Sequence, residues 1–162
     1  VVNRRIVTAI PISAMAYEPY GALLDASSAN PRLNFTVDLD NPRDQARPNL
    51  ALIRTQPAAF PLEVVEMERH PFSVQVFIPL VDTDYFIVVA RDDGQGRPDL
   101  ATLVAFTVPQ GLAISYSPDT WHTGMASLHR AGRFAMVIHE DGSKDDCIFK
   151  EVVPFQVVLG GE

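Results

Sequence analysis

Thirteen prolines and nine glycines cut this 162-residue chain into short apolar runs. Almost none of them repeats with the 3.6-residue period of an amphipathic helix, so the chain reads as strands joined by tight turns. The strand candidates are Leu33 to Leu39, Leu50 to Thr55, Leu62 to Glu68, Val74 to Pro79, Tyr85 to Ala90, Leu103 to Thr107, Ala113 to Ser117, Arg133 to His139 and Ile148 to Val153. Between them, Asp82-Thr83-Asp84, Asp92-Asp93-Gly94-Gln95-Gly96, Pro109-Gln110-Gly111, Arg130-Ala131-Gly132 and Asp141-Gly142-Ser143 supply residues that tolerate tight or left-handed backbone. Ser13 is placed to cap a short helix over Ala14, Met15 and Ala16, leading into Pro19-Tyr20-Gly21. The expected fold is all-β, an antiparallel barrel or sandwich with one or two short helices near the N-terminus. Residues 1–162 read as a single domain, since a chain of this length buries enough surface around one core. The proline- and charge-rich stretch from Asn41 to Pro48 is expected to be a loop near a barrel mouth.

Composition narrows the function classes. The formal net charge is −7, and apart from Arg4-Arg5 the basic residues are scattered singly, so no stripe exists to neutralise a phosphate backbone and nucleic acid is not an expected partner. Cys147 is the only cysteine, which excludes an internal disulfide and fits a reducing compartment. No apolar run has the length of a membrane helix, and the first residues lack the charged, apolar, small-residue order of a secretory signal. A cytoplasmic protein without a membrane partner is expected.

The chemistry gathers in two segments. If Leu62 to His70 is extended, Glu66, Glu68 and His70 share one face, while Val65, Met67 and Arg69 take the other. On an arbitrary strand such a row is more often a solvated outer face. Here the spacing Glu68-x-His70-x4-Gln75 resembles the first motif of metal-binding cupins, with Glu and Gln standing in for a His and a Glu ligand. Three such groups pointing into a barrel suit a divalent ion or a small anionic substrate. The second segment, Tyr116-Ser117-Pro118-Asp119-Thr120-Trp121-His122, resembles the second cupin motif and would bring His122 to His70, with Trp121 shielding it from water.

A sharper resemblance runs through Arg54-Thr55-Gln56-Pro57, Glu66 to Gln75 continuing to Leu80, Pro98-Asp99-Leu100 and Trp121-His122. Over most of the chain after Leu50 it looks like the ureidoglycolate lyase family. The resemblance implies a cupin-like homodimer of the amidine-lyase class that cleaves ureidoglycolate, a small carboxylate, to glyoxylate and urea in purine and allantoin breakdown. It implies His122, Glu68 and His70 as catalytic groups, with His122 and Glu68 as base and acid. Arg54, Gln75, Glu66, Tyr116 and Trp121 would contact substrate, Arg54 by pairing with its carboxylate. No cofactor is required, but a divalent metal held by Glu68, His70, Gln75 and His122 is compatible. Two alternatives stay open: a diverged enzyme of the same scaffold acting on another small hydroxy or oxo acid, and a non-catalytic binding barrel.

Overall fold

The structure, a computed structural model, describes residues 4–35, 39, 41 and 43–160. Its strands are β1 (Arg5–Pro11), β2 (Gly21–Leu24), β3 (Arg47–Thr55), β4 (Leu62–Arg69), β5 (Gln75–Pro79), β6 (Tyr85–Asp92), β7 (Pro98–Val108), β8 (Ala113–Tyr116), β9 (Trp121–His122), β10 (Ala126–Ser127), β11 (Gly132–Glu140) and β12 (Ile148–Leu159). One α-helix, α1 (Ala14–Tyr17), starts at Ser13, whose Oγ accepts from the Ala16 N–H at 3.3 Å. The only other helical turn among the described residues is a 3-10 turn at Lys144–Asp146, far from the N-terminus. Leu33, Asn34 and Phe35 carry no strand, and the rest of the strand expected there falls largely on residues 36–38, outside the described residues. Among the described residues, no helix is long and apolar enough to cross a membrane.

The strands form two layers. In the first, neighbours run β6–β7–β1–β12–β4–β9, and β9 pairs back onto β6, so six strands close into a ring. β10 adds to β6 beside β9. The ring is antiparallel except at β1, which runs parallel to both β12 and β7. The second layer is a five-stranded sheet in the order β2–β8–β5–β11–β3. Gly21 opens β2 because a Cβ there would collide with the Ser115 carbonyl oxygen of β8.

β6, Tyr-Phe-Ile-Val-Val-Ala at its start, is buried on both faces because it belongs to both cores. Phe86, Val88 and Ala90 point into the ring with Val7, Val64, Met67, Ala105, Trp121, Phe155 and Val157. Tyr85, Ile87 and Val89 face the five-stranded sheet and pack on Phe77, Ile114, Tyr116, Phe134 and Ile138. Strict alternation along β4 breaks: Val64 and Met67 are both buried while Val65 is exposed, so Val65 does not share the face of Met67. The cause is the partner strand, whose register slips between Glu151 and Phe155 around Pro154, a residue with no N–H for the ladder. Beyond the slip, Met67 faces the ring core and Glu68 faces away from it.

Candidate active site

β9 is only two residues long, and its alternation divides labour. Trp121 is fully buried inside the ring, while His122 leaves on the opposite side, toward the five-stranded sheet. The turn leading into β9 is fixed by backbone and charge. Ser117 N–H and Thr120 Oγ1 both donate to the Tyr20 carbonyl, at 2.9 and 2.8 Å. Asp119, in the left-handed region at φ 65°, donates its N–H to the His70 carbonyl at 3.1 Å. Arg69 Nη1 binds Asp119 Oδ1 at 2.9 Å and Asp92 Oδ2 at 2.7 Å, and its guanidinium lies over the Trp121 ring. The indole N–H donates to the same Asp92 oxygen at 3.0 Å.

This frame places Glu68 directly opposite His122 in the β4–β9 pair. His122 Nε2 is 3.6 Å from Glu68 Oε1, and the ligand atoms of Glu68, His70 and His122 all lie within 4.8 Å of one another. Each imidazole is oriented by a main-chain carbonyl: His122 Nδ1–H donates to Thr120 at 2.9 Å, and His70 Nδ1–H donates to Asp146 at 2.8 Å. Both Nε2 atoms are therefore left as bare lone pairs, buried and without a partner. Burial, helped by the nearby His70, pushes His122 down to about 3, outweighing the Thr120 hydrogen bond that favours the charged form. It stays a neutral imidazole at physiological pH.

Tyr116 covers His122, its ring stacked on the imidazole with centroids 4.1 Å apart. Burial holds its phenol well above the ordinary range, so the hydroxyl keeps its proton, and that oxygen too is buried without a partner. Gln75 lies opposite Tyr116 in the β5–β8 pair, donates Nε2–H to Met136 Sδ, and keeps a buried, unpartnered Oε1. On the other side, the Cys147 thiol donates to Glu68 Oε2 at 3.6 Å. Burial, reinforced by Glu68, pushes that thiol up to about 12, so it serves as a donor.

The cluster opens to a cavity of about 60 Å³ lined by Glu66, Met67, Glu68, His122, Thr123, Gly124 and Phe149. Glu66 thus sits exposed at the mouth rather than inside. Thr123 contributes another unpartnered buried hydroxyl. Two expected residues are elsewhere. Arg54 is exposed on β3, at the far edge of the five-stranded sheet, in a separate concavity with Arg130 and Arg133. Trp121 supports β9 from within the ring and does not shield His122; Tyr116 does. The site itself lies between ring and sheet, not within the closed ring, because Met67 and Trp121 fill the ring's interior.

Two bare His Nε2 atoms and a Glu side chain converging within 4.8 Å are the chemistry of a divalent metal site, and carbonyl-fixed Nδ1–H groups are the usual support of such ligands. Sequence reasoning missed Thr123, Cys147 and the Thr120 and Asp146 carbonyls. Main-chain acceptors leave no side-chain signal, and Cys147 was masked by its charged neighbours.

The family model described as ureidoglycolate lyase matches residues 4–157. A putative ureidoglycolate lyase of Agrobacterium fabrum is 30% identical over 144 residues, covering 89% of each chain. The ureidoglycolate lyase of Rhizobium etli is 31% identical over 141 residues, covering 82% of each chain. That of Escherichia coli is 29% identical over 146 residues, covering 85% of this chain and 89% of its own. With a match that runs from β1 into β12 and takes in every strand between, this chain belongs to the ureidoglycolate lyase family.

Proposed function

We propose that this protein is a carbon–nitrogen lyase that cleaves ureidoglycolate to glyoxylate and urea. The observation that carries the reading is the Glu68–His70–His122 cluster, with two buried, unpartnered Nε2 lone pairs behind a small cavity, in a chain of this family. The reaction takes a proton from the carbinol hydroxyl, breaks the C–N bond and protonates the departing urea nitrogen. His122, held neutral with an affinity for protons near pH 3, is a weak base at pH 7. Glu68, whose Oε1 lies 3.6 Å from His122 Nε2, is the proton carrier: it accepts the hydroxyl proton and returns it to the departing urea nitrogen.

His70 and His122 accept hydrogen bonds or coordinate through Nε2, and Tyr116 and Thr123 donate through their unpartnered hydroxyls. A cavity of about 60 Å³ has room for roughly two waters, so only the reacting carbinol enters it. The ureido end of the substrate, which carries N–H donors, then rests at the mouth where Glu66 lies. The donor set fits a divalent cation held by His70 Nε2, His122 Nε2 and Glu68; such an ion would supply Lewis acidity toward the substrate's carbinol oxygen.

The reading extends to a cytoplasmic homodimer. β3 is an edge strand of the five-stranded sheet, and its outward Leu50 and Leu52 are 70% and 76% exposed. Antiparallel pairing of two copies about Ala51 sets Leu50 of one against Leu52 of the other and removes the open edge. Incubation with ureidoglycolate tests the activity: glyoxylate appearing well above the spontaneous rate supports it, and glyoxylate at the spontaneous rate removes it.

A further inference from the structure

Two of the three clustered side chains are held by one loop. Between β11 and β12, the Asp146 carbonyl accepts the His70 Nδ1–H at 2.8 Å, and the next residue, Cys147, donates its thiol to Glu68. The loop is wound around its own carboxylate: Asp146 Oδ2 accepts from the Gly142 N–H at 2.7 Å, and both oxygens lie 3.1 Å from the Asp141 N–H. That carboxylate is almost completely buried, and its charge is matched by Arg43, whose Nη1 lies 2.7 Å from Asp146 Oδ1 and 3.0 Å from Asp141 Oδ2. Arg43 also reaches the end of β11, donating Nη2–H to the His139 carbonyl at 3.1 Å, and its guanidinium lies over Phe72, 4.8 Å from the ring centroid. Phe72 belongs to the turn that follows His70. Asn41 frames the arginine, accepting its backbone N–H and donating to its carbonyl.

We propose that Arg43 is a positioning residue: it locks the Asp141–Cys147 loop so that the Asp146 carbonyl and the Cys147 thiol aim His70 and Glu68 at the substrate. The inference rests on the active-site reading above. A fork-shaped guanidinium spanning two carboxylates and a carbonyl is a bidentate clamp that lysine reproduces only in part. The fold also contains its own control. His122 takes its orientation from Thr120, on the Tyr20-anchored turn, and among the described residues Arg43 makes no hydrogen bond or ion pair to that turn.

The test compares wild type with Arg43→Met and Arg43→Lys by nitrogen-15 NMR of the imidazole rings at a fixed pH above neutrality, in parallel with steady-state kinetics. In Arg43→Met the His70 ring is expected to lose its single Nδ1–H tautomer while His122, stacked beside it but fixed by Thr120, keeps its own tautomer. Turnover falls roughly 10- to 100-fold, with KM much less affected. Arg43→Lys falls between, and carries the test if Arg43→Met does not fold. A folded variant with the wild-type His70 pattern overturns the proposal, and so does equal disturbance of both histidines. A selective His70 change in a protein without ureidoglycolate turnover leaves the positioning role standing and removes the substrate assignment instead.

Discussion

Glu68 of β4 and His122 of β9 lie directly opposite each other, Oε1 3.6 Å from Nε2, with the His122 ring stacked on Tyr116 and its Nδ1–H spent on a main-chain carbonyl. A neutral imidazole and a carboxylate held this way repel through their lone pairs unless a proton or a cation stands between them.

That relationship predicts metal binding. Titrating the protein with Co²⁺ is expected to give visible absorption bands of a low-coordinate N/O site, saturating at one ion per chain. His70→Ala is expected to weaken the affinity by about tenfold or more. Wild-type affinity in His70→Ala would place the ion elsewhere.

Stability should depend on pH through His122. Its folded-state value of about 3 lies below the ordinary 6.5, so below pH 6.5 the unfolded chain binds a proton that the folded chain refuses. The stabilisation is complete above pH 6.5 and is lost progressively as pH falls toward 3. Between pH 7 and pH 5 the loss is about 2 kcal/mol. Urea unfolding at the two pH values measures it, and His122→Gln is expected to remove most of the difference.

Trp121 should matter for the fold rather than for turnover. Trp121→Phe removes the indole N–H from Asp92 and leaves space in the ring core, at a cost of about 1 to 3 kcal/mol. Thermal unfolding should shift downward while KM for ureidoglycolate stays close to wild type. A large rise in KM with unchanged stability would return Trp121 to the substrate.

The contrast between Trp121 and His122 also shows what the sequence made legible. Short β-rich runs between Gly, Pro and Asp turns led to an all-β fold, and eight of the expected strands recur, among them β4, β5 and β11, which carry or flank the site. β1 and β2 went unread because their patterns, Arg-Ile-Val-Thr-Ala-Ile-Pro and Gly-Ala-Leu-Leu, take their meaning from partners distant in sequence, β12 and β8. Spacing points to Glu68, His70 and His122 as one cluster, and their ligand atoms lie within 4.8 Å of one another. Arg54, taken from the family resemblance, lies at the far edge of the five-stranded sheet, since no local pattern tells which edge a strand occupies, and Trp121 lies inside the ring, since a two-residue strand has no period from which to read its face. The Arg43–Asp146 pair, 103 residues apart, has no local signature at all.

The edge strand supplies a prediction about assembly. Wild type is expected to run as a dimer in light scattering and a double Leu50→Lys, Leu52→Lys variant as a monomer, because two lysines on the paired face oppose a symmetric partner. An unchanged dimer would locate the interface on another face.

The most direct test of the account is product analysis with ureidoglycolate for wild type and Glu68→Gln. The account predicts urea and glyoxylate in equal amounts from wild type, and a kcat lower by about a hundredfold or more in the folded variant. Ammonia in place of urea, or a Glu68→Gln variant as fast as wild type, would contradict it.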